Sequence, residues 1–228
     1  MKFKFLSVIV ILIMSMLAFT GCNVIKDKEA GQATANEYFE FVEINGGYQI
    51  SAKEGANLSG AIQLPATYND KDVIAVAKRG FVNNTNITKV IIPAGYKTIG
   101  VEAFAYCTSL KTLEIGSIAG TTEKGVEILM SAFKGCTNLS DVKLGKDVKV
   151  IGAYAFYETA ITSMVTLKNV ESVGSNAFGK CSSLARFYVP ASLVEIAEDA
   201  FAGCSNVKFE VSDSNTAYKL VNGELVKL

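Results

Sequence analysis

The stretch VESVGSNAFGKCSSLARFYVPASLVEIAEDAFAGCSNV, residues 170–207, states one pattern twice. Val173 and Ile196 stand five residues before Phe178 and Phe201, Cys181 and Cys204 three after them, and Leu184 and Val207 six after them. Working outward, the same frame surrounds Phe81, Phe104, Phe133 and Phe156, and the spacings along the six phenylalanines are 23, 29, 23, 22 and 23. Cys107 and Cys136 continue the cysteine position, while Asn84 and Thr159 replace it in two units. Glycine often follows the aliphatic residue, at Gly100, Gly152 and Gly174. A fixed period in the range of about 20–50 residues marks an array of stacked coils.

Each unit contains two short extended stretches. The first follows the cysteine position, as in Leu110–Ile115, Leu139–Leu144 and Leu184–Val189, and its last three residues alternate in, out, in. That alternation predicts a half-buried strand, ended by Pro93, Gly145 or Pro190 eleven residues before the phenylalanine, where Leu167 stands in another unit. The second is represented by Val148–Ile151 and Leu193–Ile196. A turn then brings the phenylalanine inward, and the alanines beside it predict a short helical turn. One unit buries too little to offset the entropy of ordering it, so coils must stack and pair strands with their neighbours. At about 4.8 Å per coil, seven coils make a rod roughly 30–35 Å long.

The pattern V-x-I-P…V-x-x-I-G-x-x-A-F-x-x-C-x-x-L resembles the BspA-like (Treponema pallidum type) leucine-rich repeats of bacterial surface proteins. The resemblance is carried by residues 90–110, 142–156 and 170–207 and covers about 58–211. It implies a β-rich leucine-rich-repeat solenoid, right-handed, with parallel strands and short helical turns, α/β by the convention of that family. It also implies adhesion to host or neighbouring-cell molecules.

The flanks read differently. MKFKFLSVIVILIMSMLAFTGC begins with Lys2 and Lys4, followed by an apolar run, Phe5 to Ala18, too short to span a bilayer. Ending in Phe19-Thr20-Gly21-Cys22, it resembles a bacterial lipoprotein signal, with residues 1–21 removed and Cys22 lipidated. An ordinary secretory signal and an uncleaved anchor are the alternatives. Lipid on Cys22 would attach the chain to a bacterial membrane, on its extracytoplasmic side. Residues 22–36 are expected to be a flexible tether, 37–57 a capping hairpin turning at Asn45-Gly46-Gly47, and 212–228 a C-terminal cap turning at Asn222-Gly223. Caps keep an open strand edge from pairing with another molecule.

Composition narrows the chemistry. The 228 residues carry 22 basic and 22 acidic side chains and no histidine. Neutrality removes the electrostatic basis for binding nucleic acid. Without histidine there is no Ser-His-Asp or Cys-His centre and no histidine metal site. No phosphate-binding, zinc-protease or nucleophile-elbow motif occurs. No catalytic residue, metal ligand or cofactor is therefore expected. Of five cysteines, Cys22 is the odd one, and the other four lack metal spacing. They read as buried thiols, or as bridges between 107 and 136 and between 181 and 204.

The candidate partner surface is the outward column of the first strands: Gln63, Ile91, Glu114, Lys143, Val165, Tyr188 and Glu210. Ile91, Val165 and Tyr188 are apolar where the strand should be wet, and tyrosine suits interfaces. The long unit places its extra residues within Ser117 to Gly125, a second candidate. The expected partner is an extracellular protein or glycan. A cell-envelope scaffold or self-associating surface protein is the alternative function.

Overall fold

The computed structural model describes residues 34–116, 125–165 and 167–228. The signal segment, Cys22, residues 22–33 of the tether and residues 117–124 of the insertion lie outside them. In chain order the strands are β1 (Phe39–Ile44), β2 (Gly47–Ala52), β3 (Gly60–Gln63), β4 (Thr67–Tyr68), β5 (Lys71–Val76), β6 (Ile87–Ile92), β7 (Thr98–Ile99), β8 (Thr112–Ile115) and β9 (Val126–Ile128). They continue as β10 (Asp141–Leu144), β11 (Val148–Ile151), β12 (Ser163–Met164), β13 (Ser172–Val173), β14 (Arg186–Val189), β15 (Glu195–Ile196), β16 (Lys208–Val211), β17 (Tyr218–Val221) and β18 (Glu224–Lys227).

The chain winds as a parallel β-solenoid of about seven turns. The second stretch of each unit adds one strand to a long sheet, β1-β2-β5-β7-β9-β11-β13-β15. It is parallel from β2 onward. At its edge β1 pairs antiparallel with β2 around Asn45-Gly46. The first stretches build β3-β6-β8-β10 and, separately, β12-β14-β16. Within the first coil β4 folds back on β5 through Asn69 and Asp70, both left-handed at φ 46° and 58°, as a tight hairpin turn requires.

The core is a ladder of like on like. Phe104, Phe133, Phe156 and Phe178 are fully buried. From Phe81 to Phe201 successive rings stack with centroids 4.8, 5.4, 5.4, 5.5 and 5.5 Å apart, none tilted by more than 14°. Hydrogen-bonded strands fix the coil spacing near 4.8 Å, so each ring meets its neighbour slightly offset, the favoured arrangement for parallel aromatics. Ile99, Ile128, Ile151 and Val173 form a parallel aliphatic row.

The phenylalanine turn corrects one expectation. It is not helical; among the described residues the only helical element is the 3-10 turn Asn36–Tyr38. Around Phe104, the amides of Ala103, Ala105 and Cys107 close local turns on Gly100, Glu102 and Phe104. The intervening amides of Glu102, Phe104 and Tyr106 bond instead to Met130, Ala132 and Lys134 of the next coil. Glu102 and Tyr106 take left-handed φ of 55° and 60°, as do Tyr154 and Glu158 around Phe156, and Asn176 and Lys180 around Phe178. A left-handed residue on each side of the phenylalanine stops helix growth and turns every second amide toward the neighbouring coil.

Candidate binding face

The first strands bring most of the outward column into register. Gln63 pairs with Ile91, Ile91 with Glu114, and Glu114 with Lys143. Tyr188 pairs with Glu210 in the second of these sheets. Val165 follows β12 directly and is exposed. The expected single column is thus divided, because β10 and β12 belong to different sheets. β12 is only two residues long, and Ser163 Oγ beside this break is buried without a hydrogen-bond partner.

Parallel stacking sets charges at regular intervals on the β6-β8-β10 face. Glu114 lies between Lys89 at 3.1 Å and Lys143 at 3.0 Å. Lys143 also reaches Asp141 at 3.6 Å. The hydrogen bond from Lys143, with help from Lys89, holds the Glu114 carboxyl below its ordinary range, although partial burial opposes this. The same carboxylate raises Lys143. Lys143 and Asp141 are wet and the Lys89–Glu114 pair is half-buried, so as a group they add only modestly to stability; what they do is hold three long side chains in a fixed pattern. Beside them a shallow depression of about 470 Å³ is lined by Ile91, Pro93, Glu114, Gly116, Lys143 and Gly145.

A second outward column lies two residues earlier on each strand and was not anticipated. It runs Lys89–Thr112–Asp141 in the first sheet and Arg186–Lys208 in the second, where Ser163, its Oγ buried, occupies the register position before them. The period-two rule that located Ile91 and Tyr188 would have found it. On the outside of the phenylalanine turns, Lys134 sits 5.8 and 5.6 Å from the ring centres of Tyr154 and Tyr157, and Lys180 sits 5.2 Å from that of Tyr157.

The four repeat cysteines are free. Each thiol donates to the carbonyl of the phenylalanine one coil back: Cys107 to Phe81 at 3.2 Å, Cys136 to Phe104 at 3.1 Å, Cys181 to Phe156 at 3.0 Å and Cys204 to Phe178 at 3.0 Å. Where threonine replaces cysteine, Thr159 Oγ1 donates to Phe156 at 2.9 Å. Cysteine at this position therefore makes an inter-coil hydrogen bond, whereas threonine in its place closes a bond within its own turn. Burial pushes the Cys136 thiol well up. Among the described residues no three acidic or thiol side chains converge as a metal site. Iodoacetamide should label half-buried Cys204 first, and Cys107, Cys136 and Cys181 only as fast as the fold opens. Mass spectrometry of timed digests checks this order, and rapid labelling of Cys136 in the native protein would contradict the buried column.

Residues 121–219 match the family described as the BspA type leucine-rich repeat region, in its six-copy form. This part of the chain is a BspA-type leucine-rich repeat region. The parallel coils and stacked phenylalanines described above are the physical content of that membership. No curated protein matches the chain. Solved structures with a similar fold include the T. pallidum leucine-rich repeat protein, at 22% identity and a TM-score of 0.52 over 78% of this chain and 70% of that one. A leucine-rich cell surface protein of Faecalibacterium prausnitzii gives 21% and 0.57, covering 87% of this chain and 59% of its own. The pneumococcal vaccine antigen PcpA gives 20% and 0.63, covering 83% and 51%. This chain spans between about half and 70% of the length of these proteins.

Proposed function

We propose that this BspA-type protein is a binding module rather than an enzyme, carried on the bacterial surface by lipid on Cys22. Its outward strand face engages an extracellular protein or glycan. The observation that carries the reading is the β6-β8-β10 face, where Ile91 lies in register with a Lys89–Glu114–Lys143 arrangement already held in place. Pre-ordered side chains lose less entropy on binding. Tyr188 offers a half-buried aromatic anchor on the β14 strand. Two of the fold relatives are described as a cell surface protein and as a vaccine antigen, which supports the same setting.

The purified chain, applied to an array of extracellular-matrix proteins and glycans, should retain a defined subset. Tyr188→Ala should weaken that binding at least about tenfold, with little change in the urea midpoint. An array without any specific binder would count heavily against this function.

A further inference from the structure

The two ends of the solenoid are finished differently. At the N-terminal end the chain itself adds to both sheets, β1 beyond β2 and Thr34 beside the last residue of β3. β1 pairs along β2, and Phe39 is buried with its ring centre 6.1 Å from that of Phe81. Thr34 exchanges hydrogen bonds with Gln63 of β3, N–H to carbonyl at 3.1 Å and hydroxyl from the Gln63 N–H at 3.0 Å.

At the C-terminal end only one edge is closed. Tyr218 Oη accepts the Ile196 N–H at 2.7 Å and so caps β15. The hairpin β17–β18 pairs with itself alone. β16 is hydrogen-bonded to β14 on one side, through Lys208 N–H to Ala185 and Ser212 N–H to Val189. Phe209 and Val211 alternate with these and direct their N–H and C=O groups outward, where no strand receives them. The apolar ladder is also uncovered here. Phe201, Val207 and Phe209 are half-buried, whereas Phe104 through Phe178 are sealed. A cavity of about 600 Å³ separates them from Tyr218 and Leu225 of the hairpin. Leu220 and Val221 of that hairpin are 42% and 41% exposed.

We propose that a second copy of this chain covers this end, pairing its β16 antiparallel with β16 about a two-fold axis through Phe209. Charge selects both occupant and register. With Phe209 opposite Phe209, Lys208 of each copy faces Glu210 of the other, giving two cross-strand ion pairs. Centring the pairing on Glu210 would instead set the two carboxylates against each other. Among the described residues of one chain Lys208 has Arg186 as its strand neighbour and no acid partner, and Glu210 is reached only by Arg186, at 3.8 Å. Two-fold symmetry closes the assembly as a dimer, so the free edge does not propagate. The inference rests on this edge; Glu210 also lies in the outward column beside Tyr188, and the two readings are told apart because one is read by sedimentation and the other by array binding.

Sedimentation of this chain in detergent solution, over a dilution series, should show a monomer–dimer equilibrium. Lys208→Glu and Glu210→Lys should each weaken the dimer about tenfold or more, because each creates like-charge pairs on both sides of the axis. The double exchange Lys208→Glu/Glu210→Lys should restore it. Circular dichroism should be the same for all four proteins, these side chains being exposed. A native chain that is monomeric throughout, a dimer indifferent to the single exchanges, or a double exchange without rescue overturns the proposal.

Discussion

Phe156→Ala should destabilise the protein by about 3–5 kcal/mol, the range for removing a buried aromatic ring from a close-packed core. Phe156 has no exposed surface and stacks on Phe133 on one side and Phe178 on the other, at 5.4 and 5.5 Å. Removing it creates a cavity and breaks two ring contacts, each contributing about 0.5–1.5 kcal/mol beyond simple burial. The hole cannot collapse readily, because the long sheet, where β11 pairs with both β9 and β13, fixes the coil spacing on both sides of it. Phe201 provides the comparison. It occupies the same place in its unit but is half-buried, and of the repeat column it touches only Phe178. Phe201 also meets Phe187 and Phe209 edge-on, at 4.8 and 5.1 Å, so Phe201→Ala should cost less than Phe156→Ala only through the smaller area it buries. Urea titrations of the two variants against the parent measure the difference. Equal losses would mean that the stack does not transmit packing from coil to coil.

That comparison shows what the sequence makes legible and what it hides. The period, the inward phenylalanines and the alternating strands are readable because every coil repeats the same burial requirement, and repetition exposes it. Position along the array is less visible, and Phe178 and Phe201 have the same local frame although one is sealed and the other is not. The left-handed residues beside the phenylalanines, on both sides of each from Phe81 to Phe178 and only at Gly203 for Phe201, are harder still. Asn83, Asn176, Gly135 and Gly203 are types that tolerate positive φ, but Glu102, Tyr106, Tyr154 and Glu158 are not. Their conformation follows from amides bonding to the next coil, a long-range cause that no local preference records. The alanines beside the phenylalanine favour a helix, and inter-coil bonding overrides them.

The division of the outward column has a similar origin. Val165 keeps the alternation of Lys143 and Tyr188, so it reads as a member of one face. What separates it is the shortness of β12, which depends on how many backbone bonds neighbouring coils exchange there. The unit is irregular in sequence, with Ile161 one residue nearer its phenylalanine than elsewhere, and the irregularity is visible without its consequence. The outward charges are a clearer case. Lys89 and Glu114 lie in different units, 25 residues apart, and become neighbours once coil stacking is recognised.

Gly100→Val should be the most damaging substitution at a glycine of the repeat frame, with a loss of about 3 kcal/mol or more. A side-chain carbon at Gly100 would lie 2.5 Å from the Val76 carbonyl oxygen and 2.7 Å from the Ala77 carbonyl carbon. Those atoms belong to the backbone of the preceding coil. They cannot rotate aside, because the Gly100 N–H donates to that Val76 carbonyl at 3.0 Å. The choice is between breaking the inter-coil bond and separating two coils, and either disturbs the phenylalanine stack beyond the turn. Alanine at 100 should already be costly, in the range of about 1–3 kcal/mol for overpacking. Gly55 tests whether space or backbone conformation is responsible. Its φ is +75°, and an added carbon there meets nothing within 4 Å. Gly55→Ala should cost only about 1–2 kcal/mol of conformational strain. Gly152 shares the contact of Gly100, with the Ile128 carbonyl oxygen 2.8 Å from an added carbon. Gly152→Val should accordingly behave like Gly100→Val in thermal melts. If valine at 100 or 152 is tolerated as well as alanine at 55, close approach of coils at the glycine is not what selects it.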